Sequence, residues 1–235
     1  MKRITRRTFL VTSGAAAAAA WPASNRLAAA SGSWERDGGR EGKGAFPYEL
    51  GIASYTFREF SLDAALAMTR RLGIGRICLK DVHLPLRSSA SEIAAAAAKV
   101  RKAGCVLYGC GVIYMTNPAE VKQAFVYAKA AGADTIIGVP NYDLLPLAEK
   151  KVREYGIRLA IHNHGPDNPL YPSPKSAYDL VKSLDPRVGL CLDVGHCRRL
   201  GIDPSEAAEA YKDRILDIHL KDVTAPTKDG GPVEV

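Results

Sequence analysis

Short apolar segments recur along most of the chain, separated by stretches of mixed polar and apolar residues. Their centres lie near Ile52, Ile77, Leu107, Ile136, Leu159, Leu190 and Ile218. The steps between neighbouring centres run from 23 to 31 residues, which is the length of one strand plus one helix. The pattern therefore predicts seven strands that alternate with helices. Such alternation favours parallel pairing through right-handed crossovers.

Helix-capping residues stand between the apolar segments. Ser89 and Glu92 have the spacing of a capping box, and Asn117 before Pro118 predicts another helix start, with Gly132 after its end. Similar start signals stand at Ser173-Pro174 and Asp203-Pro204. Six helices and seven strands at this spacing predict an α/β fold of the TIM (β/α)8-barrel type. No Gly-rich phosphate loop opens the first helix, which argues against a dinucleotide-binding sheet.

The domain organisation follows from where this pattern begins and stops. Residues 46–235 are assigned to the barrel. Because a (β/α)8 barrel takes about 250 residues, we expect this one to be truncated after its seventh strand, with an open seven-strand barrel as the alternative. Residues 31–45 are Gly-rich, charged and aperiodic, and they are predicted to be a flexible linker.

Residues 1–30 have the features of an export signal. Arg6 and Arg7 precede an apolar segment, residues 9–20, that is shorter than a membrane span. The segment resembles a bacterial Tat signal peptide, which implies a periplasmic or otherwise exported protein. It also implies the Tat translocase as a partner during export and no stable membrane insertion. A basic, Ala-rich helix that stays on the protein is the alternative.

The composition narrows the function classes. An apolar content of 47% with 24% charged residues is that of a globular protein. The net charge is +7, but residues 1–30 carry five Lys/Arg and no acid, so +2 remains without them. This small charge argues against a nucleic-acid partner, which needs a basic face on the folded domain. The five cysteines show no CxxC spacing and are predicted to be buried free thiols.

Side chains that bind metal ions, with two lysines beside them, concentrate at the C-terminal ends of the predicted strands, where barrels of this class carry their active sites. They are His83 with Lys80 after strand 2, His162 and His164 at strand 5, Asp193 and His196 at strand 6, and His219 with Lys221 at strand 7. Imidazole and carboxylate groups that converge on one rim can hold a divalent ion. Strand alternation places His162 and His164 on the same side.

The Asp193-x-x-His196 sequence, followed by His219 in Ile-His-Leu-Lys-Asp, resembles the xylose isomerase-like TIM-barrel superfamily of sugar isomerases and epimerases. The resemblance implies a divalent ion, Mn²⁺ first, with Mg²⁺, Co²⁺ or Zn²⁺ as alternatives. Asp193 and His219 match the second and third ligands of the family, and His196 matches a residue that contacts substrate oxygens. His162 replaces the family's strand-5 Glu as first ligand, and a strand-8 Glu would lie beyond this sequence.

The resemblance and the site residues together predict keto-sugar isomerase or epimerase chemistry through an enediolate. The alternatives are a metal-dependent lyase that eliminates the aglycone from 3-keto-glycosides and a non-catalytic sugar-binding barrel. The expected partner is a small-molecule sugar or keto-glycoside, and homo-oligomerisation stays open.

Individual roles within this chemistry are assigned as follows. His164 is the predicted base, and Lys221 or Lys80 is the predicted partner of the enediolate oxygen, with a salt bridge to Asp222 as the alternative role of Lys221. Substrate contacts are predicted for His196, Lys80, His83 and Tyr55. Tyr55, with Phe57 and Tyr114, could also form an apolar wall for a sugar ring or pack at the rim.

Overall fold

A computed structural model describes residues 48–231 and 233 of the chain. The predicted signal peptide and linker, residues 1–30 and 31–45, lie outside the described residues. From Tyr48 onward the chain forms a unit of its own.

Seven strands form one sheet in which every neighbouring pair is parallel and the strand order follows the chain. The strands are β1 (Ile52–Ala53), β2 (Arg76–Leu79), β3 (Val106–Met115), β4 (Thr135–Pro140), β5 (Arg158–His162), β6 (Val188–Asp193) and β7 (Ile215–His219). Sequential parallel strands are the arrangement of a TIM-type barrel. The predicted α/β fold class and the positions of all seven strands are confirmed.

Helices connect the strands in the described part of the chain. They are α1 (Leu62–Arg71), α2 (Ala90–Lys102), α3 (Pro118–Ala131), α4 (Leu145–Tyr155), α5 (Pro174–Val181), α6 (Val194–Arg199) and α7 (Pro204–Tyr211), with 3₁₀ turns at Ser54–Phe57 and Tyr142–Leu144. The predicted helix starts are confirmed. Ser89 and Glu92 form a reciprocal capping box on α2, and the Asn117 side chain accepts hydrogen bonds from two backbone N–H groups of α3. Gly132 ends α3 at a φ of 75°, a conformation that glycine adopts without strain.

One helix, α6, is absent from the sequence prediction, which expected six. It has only six residues and contains Gly195, so neither length nor helix propensity signals it. Its start is determined by Asp193, the last residue of β6, whose side chain accepts a hydrogen bond from the backbone N–H of His196. The Asp-x-x-His sequence therefore lies across a strand end and the first turn of a helix.

The two faces of the sheet pack differently. One face packs against the helices in the main core, where Leu79, Phe125 and Leu159 are among the buried residues. The opposite face carries a small cluster of Cys78, Ile137, Ala160 and Cys191. All five cysteines are buried and free, which confirms their prediction. No helix among residues 48–231 is both long and apolar enough to cross a membrane.

Candidate active site

Strand register places the candidate ligands in two layers on one face of the sheet. Asp193 pairs with His219, and Cys191, two residues earlier on β6, pairs with Asp217 on β7. Because side chains two residues apart point to the same face, Cys191 lies directly below Asp193, and Asp217 below His219. On β5, His162 pairs with Cys191 and so reaches this face at the lower level.

The three predicted metal ligands meet at the Asp193 carboxylate, which His162 approaches from the lower level and His219 from the upper one. Asp193 Oδ2 lies 3.3 Å from His162 Nε2 and 3.8 Å from His219 Nδ1. Only 2% of Asp193 and 5% of His162 is exposed. Burial opposes ionisation of Asp193, but the hydrogen bond from His162, together with the electrostatic effect of His196, His162 and Lys221, outweighs it, so the pKa of this carboxyl lies well below its usual value.

Four of the five histidines surround this carboxylate. The His162 ring centroid lies 4.8 Å from that of His164, 5.7 Å from His196 and 5.0 Å from His219. The predicted convergence of His162 and His164 on one side is therefore observed. Burial lowers the pKa of His164 and of His196 to about 4 and that of His219 well below its usual value, and neighbouring groups of the cluster contribute. These three imidazoles are accordingly neutral at pH 7.

The groups predicted to handle protons and substrate lie beside the same cluster. Tyr114 Oη is 2.7 Å from His164 Nε2, so this tyrosine orients the predicted base besides lining the rim. Lys221 Nζ is 3.5 Å from His196 Nε2, and Lys80 Nζ is 3.5 Å from His219 Nε2. The structure thus brings both lysines next to histidines of the cluster.

His83 and Tyr55 are placed differently. His83 Nδ1 lies 3.0 Å from the Ser54 hydroxyl and Nε2 lies 2.9 Å from the Phe60 carbonyl oxygen, so both ring nitrogens have partners in the segment that follows β1. Tyr55 is 58% exposed, with the Arg58 guanidinium 5.1 Å from its ring centroid. The structure does not bring either residue into the histidine cluster, and their roles in substrate binding stay predictions.

Asn163 has a role that sequence reasoning did not assign. Its side chain is 1% exposed, and its Oδ1 accepts a hydrogen bond of 2.9 Å from the backbone N–H of Asp193. Asn163 therefore holds the β6 end at the position where the carboxylate enters the site. Asp217 was missed as well, although its spacing of two from His219 indicates the same face.

The donor set fits a divalent cation. Two groups of three side chains offer ligand atoms within 4.8 Å of one another, namely His162, Asp193 and His196, and His162, Cys191 and His219. In the described residues, the Nδ1 atoms of His162, His164 and His196 are buried without a hydrogen-bond partner. Buried polar atoms normally have partners, so their absence at three adjacent imidazoles indicates a site built for a ligand.

Comparison with known proteins identifies the family. The family model described as xylose isomerase-like TIM barrel matches residues 116–233, half of the chain. The chain belongs to the xylose isomerase-like TIM barrel family. In this family member, the matched range contains every candidate ligand from His162 to His219, whereas Tyr55, Lys80 and His83 precede it.

Solved structures show the same fold. An uncharacterised protein from Parabacteroides distasonis is 26% identical, with a TM-score of 0.64 over 74% of this chain and 75% of its own. The probable 3-DHS dehydratase AsbF from Bacillus anthracis is 12% identical, with a TM-score of 0.62 over 76% and 75%. A sugar phosphate isomerase/epimerase from Parabacteroides distasonis is 16% identical, with a TM-score of 0.58 over 77% of each chain. No curated protein sequence matches this xylose isomerase-like barrel significantly.

Proposed function

We propose that the protein is a divalent-metal-dependent isomerase or epimerase of a keto sugar. The observation that carries the proposal is the buried Asp193 carboxylate with His162 and His219 beside it, on three neighbouring strand ends, and with His164 and His196 next to them. Membership of the family supports the class of reaction, since one of its structural neighbours is named a sugar phosphate isomerase/epimerase.

His162, Asp193 and His219 would hold the ion, with Mn²⁺ as the first candidate. Such an ion supplies Lewis-acid polarisation of a sugar carbonyl and so acidifies the neighbouring C–H bond. The strand-5 carboxylate of the family is replaced by His162, so the proton must be taken by a different group. This substitution leaves a site with one carboxylate among its three proposed ligands.

His164 is the proposed proton acceptor. Its pKa of about 4 keeps it unprotonated at neutral pH, and Tyr114 engages its Nε2 while Nδ1 is buried without a partner among the described residues. A base of this pKa is weak, but negative charge that develops on the substrate beside it raises its proton affinity during the transfer. The ammonium groups of Lys221 and Lys80 are placed to stabilise the enediolate oxygen.

Elimination from a 3-keto-glycoside is the second candidate, and a cavity that shares Tyr114 with the site is compatible with it. The cavity has a volume of about 360 Å³, and Leu84, Leu86 and Val112 are among its apolar lining residues. Tyr114 also lines it, and the hydroxyl of that residue contacts His164. An apolar aglycone would fit such a space, whereas a free ketose would leave it unfilled. A structural neighbour is named a dehydratase, which is an elimination enzyme.

Metal analysis of the purified full chain tests the ligand assignment. We expect bound Mn²⁺ in the wild type and its loss in Asp193→Ala and in His219→Ala. The matched control is His83→Ala, which removes a histidine whose ring nitrogens bond elsewhere and should keep the ion. Wild-type occupancy in both ligand variants would refute the site.

Turnover on a panel of ketoses and 3-keto-glycosides tests the reaction. Exchange of the substrate α-hydrogen with solvent deuterium is expected for every enediolate reaction, and release of the aglycone would identify the lyase. Retained metal with no exchange on any substrate would instead support a non-catalytic sugar-binding barrel.

We also propose, from Arg6-Arg7 and the apolar segment after them, that the protein acts outside the cytoplasm after Tat export. Sugar phosphates are scarce there, which favours an unphosphorylated substrate.

A further inference from the structure

The lower layer of the site contains a second set of ligand atoms. Cys191 Sγ lies 3.7 Å from Asp217 Oδ2, and the same carboxylate oxygen lies 3.7 Å from His219 Nε2. His162 completes the group, because its ligand atom lies within 4.8 Å of those of Cys191 and His219. Cys191 is fully buried, so its thiol faces this group and not solvent.

The His219 ring faces both layers. Its Nδ1 is directed at Asp193 in the upper layer, 3.8 Å away, and its Nε2 at Asp217 in the lower layer, 3.7 Å away. Each layer therefore presents one carboxylate and one nitrogen of the same imidazole. The layers differ in the remaining ligand, because only the lower one has a sulfur atom.

The ligand atoms of the two layers favour different metal ions. Thiolate with imidazole favours Zn²⁺ and other thiophilic ions, whereas carboxylate with imidazole also accepts Mn²⁺. We propose that the lower layer is a separate position for a thiophilic divalent ion, held by His162, Cys191 and His219 with Asp217 beside them. Both positions use His162 and His219, and the two layers face different nitrogens of the His219 ring.

Charge in the lower layer is compatible with this position. The Lys80 ammonium, 3.5 Å from His219 Nε2, opposes a cation there. When an ion displaces the thiol proton of Cys191, the resulting thiolate offsets that positive charge. The thiolate increases the binding affinity for a thiophilic ion but adds little to the affinity for Mn²⁺. We therefore expect Mn²⁺ to bind at Asp193.

The test compares Zn²⁺ and Mn²⁺ affinities of the full chain. In Cys191→Ser, Zn²⁺ affinity should fall by more than the roughly 100-fold that loss of an outer partner costs, while Mn²⁺ affinity stays unchanged. In Asp193→Asn the effects should reverse. Cys105→Ser is the control, since that buried thiol lies at the start of β3 on the other side of the sheet and should alter neither affinity. Equal losses of both ions in Cys191→Ser would overturn the proposal.

X-ray absorption of the zinc-loaded wild type tests the lower position without any substitution, so the result does not depend on whether a variant folds. We expect one sulfur neighbour at about 2.3 Å from zinc. Coordination by nitrogen and oxygen alone would refute the lower position and leave the proposed Mn²⁺ site intact. Failure of the wild type to bind Mn²⁺, with the zinc–sulfur contact present, would contradict the proposed function and support this inference.

Discussion

Removal of the Asn163 side chain should lower Mn²⁺ affinity by more than a loss of stability alone would. Asn163 is 1% exposed, and its carbonyl oxygen is the partner of the Asp193 backbone N–H at 2.9 Å. In Asn163→Ala this buried N–H loses its partner, which costs about 1–3 kcal/mol of unfolding free energy. Because the same hydrogen bond fixes the backbone from which the Asp193 carboxylate extends, Mn²⁺ affinity should fall about 10–100-fold, as for other outer partners of metal ligands.

Asn117→Ala provides the matched control. Asn117 caps α3 through hydrogen bonds of 3.0 and 3.1 Å to the N–H groups of Ala119 and Glu120, so its loss should cost about 1 kcal/mol. Urea unfolding with a chelator present measures both stability losses, and Mn²⁺ titration by electron paramagnetic resonance measures affinity. The reasoning is refuted if Asn163→Ala is destabilised as expected but binds Mn²⁺ as tightly as Asn117→Ala does.

Three further outcomes follow from the structure and the sequence. His164→Gln should retain Mn²⁺ but slow α-hydrogen exchange about 10²-fold or more, and metal loss would make His164 a ligand. Lysines in place of Arg6 and Arg7 should stop export in a fractionation assay, because a receptor recognises the arginine pair and not charge alone; undiminished export would contradict a Tat signal. Hydrogen bonds from Arg187 hold the pKa of Asp185 below its usual value. Its stabilisation is therefore complete above the unfolded pKa of about 4 and is lost as the pH falls further, so Asp185→Asn should flatten the acid decline of unfolding free energy in urea melts.

Much of the fold could be predicted from the sequence because its signals are local. The capping box of Ser89 and Glu92 and the cap of Asn117 act within one helical turn, and the apolar segments that became strands are four to ten residues long for all but β1. The short helix α6 was not predicted from the sequence. Its only strong signal is the capping residue Asp193, which is also interpreted as a metal ligand.

The site was predictable in its residue types and in the strand ends that carry them. His162, Asp193 and His219 follow from the general rule that parallel strands of a barrel present their C-terminal ends on one side. The sequence also indicated that His162 and His164 share a side, since that depends only on strand alternation.

The partners within the site were decided by the tertiary structure. Lys80 contacts His219, which is 139 residues away in the sequence, and Tyr114 contacts His164, which is 50 residues away. Whether Asp193 lies level with His219 or with Asp217 depends on the register of β6 against β7, which contains an irregularity between Leu190 and Cys191. A shift of one residue in register would turn every side chain to the other face, and packing of the whole sheet against its helices selects among such registers. The sequence alone therefore determined which chemical groups reach the barrel rim, and the three-dimensional packing determined which of them touch.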